Sequence, residues 1–196
     1  MKSVLISIKP KWVEKIASGE KTIEVRKTKP NLETPFKVYI YETQGEYKTG
    51  TGIFAYGIEL KGTKKGKGKV IGEFVCDRID RIGKRGIDNN FDYCYLSLDK
   101  WGNDDIEIEI TDIKKSCISK QELNEYGKHS PCLYFWHIYN LKIYDKPKEL
   151  SEFKKPCDRF LDCITCKRLV RNDFLSCDNI ITRPFQSWGY VESLGE

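Results

Sequence analysis

Pro10 and Gly19 bracket a stretch with room for roughly two turns of helix and no more. Pro10 suits a first helical turn, where its missing N–H costs nothing. Trp12, Val13, Ile16 and Ala17 then fall near one face over 11–18, and Gly19 is a natural stop. The runs on either side have a different period. Residues 4–8 and 22–26 alternate apolar and polar as strands do, and 36–43 (FKVYIYET) and 70–82 (VIGEFVCDRIDRI) are strand candidates. Further on, Ser119-Lys120-Gln121-Glu122 fits a capping box ahead of a second short helix ending near Gly127. Residues 133–144 (LYFWHIYNLKIY), the most apolar and aromatic run, read as a buried strand, and 147–153 as a further short helix. Between these lies 44–69, rich in Gly and Lys, which reads as an extended hairpin or loop with one weak strand at 53–60. Residues 86–102 are ambiguous, and Ile106, Ile108 and Ile110 alternate as in a strand or a loop margin. Short strands interrupted by two or three short helices predict an α+β fold built on a small, mostly antiparallel β-barrel. The lack of regular strand–helix alternation argues against a doubly wound sheet.

At 196 residues the chain can bury a core without disulfides. No apolar run approaches the roughly 20 residues that a membrane span needs. The start, MKSVLISIKPKW, does not read as a signal peptide, so a cytoplasmic protein is expected, with no membrane partner. Composition shifts near residue 153, which predicts a barrel domain at 1–153 and a Cys-rich extension at 154–196 packing on it.

The net charge of +5 is concentrated. Residues 61–85 hold nine Lys/Arg and three Asp/Glu, a local charge of +6 that leaves −1 for the remainder. Lys61, Lys64, Lys65, Lys67 and Lys69 form its densest part and suit the backbone of RNA or another nucleic acid.

The segment GEKTIEVR follows the first helix and places Gly19, Lys21, Glu24 and Arg26 in the spacing Gly-x-Lys-x-x-Glu-x-Arg. That pattern, with KVYIYET, VIGEF, FWHIYNLKIYDKPKELSEF and the terminal RPFQSWGYVE, resembles the ASCH domain of the PUA-like superfamily, in its phage and prophage branch. The resemblance covers residues 1–153 and the last dozen or so. It implies a PUA-like β-barrel with a cleft beside the helix–strand junction that binds RNA or a modified nucleobase. Some small members are amidohydrolases on acylated cytidine that use a Lys, a Thr and a Glu. Lys21 and Glu73 match the first and last of these, but Glu24 stands where the Thr is expected.

Alternation places Glu24 and Arg26 on one strand face and Ile23 and Val25 on the other, toward the core. Arg26 offers a planar fork for phosphate or carboxylate. Glu24 can accept from the amine or ring N–H of a base. A Lys21/Glu24/Arg26/Glu73 pocket is therefore expected to read a base. If the chain is an enzyme, an amidohydrolase on N4-acylated cytidine or a nuclease, Lys21 and Glu73 are its catalytic pair. Two carboxylates raise the pKa of Lys21 unless desolvation outweighs them. The alternatives are surface ion pairs with no ligand and, at the level of the whole chain, a phage accessory protein that binds a host protein. His137, between Trp136 and Ile138, reads as a structural histidine with no Cys or Asp partner at ligand spacing, and His129 lies in a turn. Tyr134, Trp136 and Tyr139 suit core packing, with base stacking as the alternative.

The eight cysteines are expected to be thiols or metal ligands. Cys157, Cys163, Cys166 and Cys177 crowd into the tail, and the Cys163–Cys166 pair has the spacing of a zinc knuckle. Four thiolates would give a closed, structural zinc site whose binding energy folds a polar tail. An iron–sulfur cluster or free thiols are the alternatives.

Overall fold

The structure, a computed structural model, describes residues 2–48, 53–55, 58–60, 63–87, 90–96, 105–107, 110–157 and 179–194. The elements in chain order are β1 (Lys2–Ile8), α1 (Pro10–Ala17), β2 (Ile23–Arg26), β3 (Phe36–Glu42), β4 (Glu46–Lys48), β5 (Ile53–Ala55), β6 (Ile58–Leu60) and β7 (Thr63–Lys65). They continue as β8 (Val70–Ile87), β9 (Asn90–Leu96), β10 (Asp105–Glu107), α2 (Ile110–Ser116), α3 (Lys120–Gly127), β11 (Cys132–Lys148), a 3-10 turn (Leu150–Glu152) and β12 (Trp188–Glu192). The chain forms two compact units. The first comprises Met1–Pro10, Lys37–Glu73 and Lys142–Glu196; the second comprises Lys11–Phe36 and Phe74–Leu141. The long strands β8 and β11 contribute to both.

In the first unit β1 is central. It runs parallel to β3, with Val4 opposite Val38 and Ile8 opposite Glu42, and antiparallel to β12, with Lys2 opposite Glu192. A parallel neighbour requires a long crossover, which the chain from α1 to β2 supplies. All but the first residue of β1 are buried, so its side chains have cover on both faces and its sequence is continuously apolar apart from Ser3 and Ser7. Ser7 Oγ is satisfied by donating to the Phe185 carbonyl at 2.6 Å. Leu5, Tyr39, Val70, Phe153, Ile181 and Val191 form the core here. The described parts of the expected extension, 154–157 and 179–194, belong to this unit.

In the second unit β2 pairs antiparallel with β11, placing Arg26 opposite Tyr134 and Ile23 opposite His137. β8 pairs with β9 from Ile82 opposite Tyr95 to Ile87 opposite Asn90, and β9 with β10. Ile23 and Val25 meet Ile82, Leu123, Leu133 and Phe135 in the core, as alternation predicts. Trp136 is fully buried against Phe36, edge to face at 6.0 Å. The α3 capping box forms in full: Glu122 N–H donates to Ser119 Oγ at 3.1 Å and Ser119 N–H to Glu122 Oε2 at 3.0 Å.

The fold is α+β with a mostly antiparallel sheet and few helices, but the described ladders leave β10 and β12 as free ends and do not close into the expected barrel. Four local expectations also change. The weak strand at 53–60 is two short strands, β5 and β6, paired with each other inside the β4–β7 hairpin. Ile110 opens a helix, α2, rather than continuing an alternating strand. Strand β11 runs on to Lys148 and is buried only in its first half, with Tyr139 63% exposed. It therefore takes in Pro147, and the helix expected at 147–153 shrinks to one 3-10 turn. Among the described residues no helix is long and apolar enough to cross a membrane.

Candidate functional site

The end of α1 fixes Lys21. Gly19 takes φ +77°, a left-handed conformation that costs glycine little, and reverses the chain. Lys21 N–H then bonds the Lys15 carbonyl at 2.8 Å and Thr22 N–H the Lys115 carbonyl at 2.9 Å, so both flanks of the turn are held. The side chain of Lys21 is completely buried. Its Nζ donates to the Ser116 carbonyl at 2.6 Å and lies 3.3 Å from Glu24 Oε2 and 5.2 Å from the centre of the Trp12 ring.

Each of these partners has a physical reason to be there. Ser116 is the last residue of α2, where carbonyls lack intrahelical partners and the helix dipole is negative, so a cation is favoured. Cys117, at φ +57°, ends the helix in the left-handed conformation. Glu24 and Arg26 are two apart on β2 and share a face; Arg26 Nη2 lies 2.9 Å from Glu24 Oε1. One carboxylate thus uses both oxygens to bridge two cations, and all three groups are buried. Tyr126 of α3 is close enough to feel Arg26 and Glu24, and Lys27 Nζ sits 5.0 Å from the centre of its ring. Burial pushes the Tyr126 phenol up.

Burial pushes the Lys21 ammonium below its ordinary value, against the opposing pull of Glu24. Desolvation therefore outweighs Coulomb attraction, the balance that sequence reasoning left open. The surface ion-pair alternative does not describe this strand, since Glu24 and Arg26 pair with each other and under a tenth of either is exposed.

The remaining expected residues have other settings. Glu73 belongs to the first unit, where its carboxylate lies 3.3 Å from Lys37 Nζ and accepts from Tyr144 Oη at 2.6 Å. Burial and that carboxylate raise the Tyr144 phenol well above its usual range. Lys64 and Lys65 lie exposed on β7 opposite Tyr47 and Glu46, and Lys67 is exposed beyond them. The root of this hairpin is fixed where Lys67 N–H donates to the buried Glu42 Oε2 at 2.9 Å. Lys69 pairs with Glu149 at 2.6 Å. Lys61, Cys163, Cys166 and Cys177 lie outside the described residues, and Cys157 is a half-buried free thiol.

His137 does have an acidic partner, on another strand: its Nε2 is 2.6 Å from Asp80 Oδ2. The histidine and aspartate are far apart in sequence, which is why spacing did not reveal the pair. Trp12, Ser116 and Tyr126 were missed as neighbours of the cluster for a similar reason. Trp12 was legible only as a helix-face residue, and nothing in ITDIKKS signals the helix end that presents the Ser116 carbonyl.

The described elements define an α+β chain with a mostly antiparallel sheet and a buried Lys–Glu–Arg bridge at its first helix–strand junction. No protein-family model and no curated protein matches the sequence. Among solved structures, the chain is similar to ASCH from Zymomonas mobilis, with a TM-score of 0.50 and 15% identity over 97% of this chain and 87% of that one. A serine-to-alanine mutant of the same protein gives a TM-score of 0.50 and 14% identity over 97% and 88%. At such identity the likeness is one of fold.

Proposed function

We propose that this protein binds single-stranded nucleic acid or a modified nucleobase, RNA above all. The buried Lys21–Glu24–Arg26 cluster is the base-reading element, and the β4–β7 hairpin holds the phosphate backbone. The observation that carries this reading is the cluster's make-up. Two cations share one carboxylate, so the group has a net charge of +1 when Lys21 is protonated, in surroundings where charge is expensive. A base carbonyl or a phosphate oxygen offers those donors a further acceptor. Exposed Lys64, Lys65 and Lys67 supply the salt-sensitive, sequence-independent part of affinity.

Titration of cytidine, N4-acetylcytidine and short RNAs against wild type and Arg26→Ala tests this. Arg26→Ala is expected to weaken binding at least tenfold, and wild-type affinity for RNA to fall steeply with salt. Equal affinities for the two proteins would remove the cluster from the reading.

An amidohydrolase acting on N4-acylated cytidine is the second reading. The depressed pKa of Lys21 favours it, because a neutral amine is a base or nucleophile and an ammonium is neither. Release of acetate from N4-acetylcytidine by wild type, lost in Lys21→Ala and in Glu73→Ala, would establish it; no turnover in wild type excludes it.

For the tail we propose a structural zinc ion on Cys157, Cys163, Cys166 and Cys177, supported by their spacing. Metal analysis of purified protein is expected to give about one zinc per chain, and Cys163→Ser to lose it. Well-folded protein with neither zinc nor iron refutes the site.

A further inference from the structure

A second cluster lies in the same unit as Lys21 but on other strands. Cys76, Arg78 and Asp80 alternate along β8 and so share a face, and His137 of β11 reaches Asp80 from the neighbouring strand. His137 Nε2 lies 2.6 Å from Asp80 Oδ2, and Arg78 Nε 3.2 Å from the same oxygen. A carboxylate at that distance accepts, so Nε2 carries the proton and Nδ1 keeps its lone pair. Arg78 Nη2 is 3.0 Å from Nε2 and 3.5 Å from Nδ1, too central to line up with either in-plane lone pair; the guanidinium lies against the ring. The histidine is therefore held in one tautomer and one orientation.

Two features distinguish this from a structural ion pair. The Arg78 side chain is 60% exposed, and a guanidinium has five donors, of which Asp80 engages only some. Two residues beyond His137, on the same face of β11, Tyr139 is 63% exposed. Tyr139 thus follows His137 at about 7 Å along β11, and the exposed Arg78 guanidinium lies against the His137 ring.

We propose that this face is a ribonucleotide subsite for single-stranded RNA. The base stacks on Tyr139, the phosphate takes the outward donors of Arg78, and His137 Nδ1 accepts the ribose 2′-OH. The first two contacts suit any single strand, whereas the third distinguishes RNA from DNA. The proposal rests on the RNA-binding reading but uses none of the residues of the Lys21 cluster.

Anisotropy titrations of labelled oligouridine and its deoxy counterpart test it, with wild type, Tyr139→Ala, Arg78→Gln and His137→Gln. Tyr139→Ala and Arg78→Gln alter exposed side chains and are expected to melt as wild type does. Each should weaken RNA binding about tenfold. Wild type should prefer RNA, and His137→Gln should erase that preference. Cross-linking of 4-thiouridine RNA should label Tyr139. If Tyr139→Ala and Arg78→Gln bind within twofold of wild type while a Lys64→Ala/Lys65→Ala variant binds weakly, the subsite is refuted and the RNA-binding reading stands. Equal wild-type affinity for RNA and DNA also overturns the subsite. If wild type binds no RNA at all, both proposals fall.

Discussion

Replacing Glu24 with Gln is expected to destabilise the protein by about 3–5 kcal/mol and to lower Tm by roughly 10 °C. The substitution keeps the shape of the side chain and removes only its charge. What remains is a fully buried ammonium and a buried guanidinium, adjacent and without their shared counter-ion. The loss is that of uncompensated charge rather than of two surface ion pairs, which would cost under about 1 kcal/mol each. A double variant, Lys21→Met/Glu24→Gln, should recover part of the loss, because it removes one of the stranded charges. The pH dependence has a definite sign. Burial holds the pKa of Lys21 below its ordinary 10.5, so the unfolded chain binds that proton more tightly than the folded one. The Lys21 contribution to stability therefore rises with pH from its folded pKa up to about 10.5. In Glu24→Gln the folded pKa falls further, so the gap from wild type is full below that lowered value and closes as pH rises through the wild-type folded pKa. Thermal melts across this range check both claims. A Tm within about 2 °C of wild type at neutral pH would mean that the three groups are not buried together.

Gly66→Ala is the second large effect, expected to cost about 3 kcal/mol and roughly 8 °C in Tm. A Cβ on Gly66 would lie 1.9 Å from the Thr43 carbonyl oxygen and 2.5 Å from Pro10 Cγ, and the first of these is backbone. The close approach is that of a hairpin root, where Gly66 N–H donates to the Gly45 carbonyl at 2.9 Å. Forcing it apart displaces the hairpin carrying Lys64 and Lys65, so affinity for RNA should fall together with stability. Gly19→Ala is the informative comparison. A Cβ there meets nothing within 4 Å, and only the positive φ opposes it, at a cost of about 1 kcal/mol. If Gly66→Ala is no more harmful than Gly19→Ala, the hairpin root is not packed as described.

The two substitutions probe different kinds of information. Gly19 and the capping box at Ser119 were legible because a helix stop and a helix start are made by neighbours in sequence. The alternation of Ile23 and Val25 with Glu24 and Arg26 was legible for the same reason, and it placed the apolar pair in the core correctly. The three side chains of the Lys21–Glu24–Arg26 cluster lie within one eight-residue segment, GEKTIEVR. Helix α2 could not, because ITDIKKS is too short to show a period, and with it went the Ser116 carbonyl that holds Lys21. The His137–Asp80 pair was hidden because only the β8–β11 pairing brings the two residues together.

The chain's own order determined which residues turn, which alternate and which charges lie close on one strand, since these follow from dihedral preference and a two- or 3.6-residue repeat. Only the tertiary structure decided that Lys21 is stripped of water, that its pKa moves down rather than up, and that the described ladders leave β10 and β12 as free ends. Desolvation depends on everything packed around a group, and sheet closure on which distant strands meet; neither is written in the neighbours of any one residue.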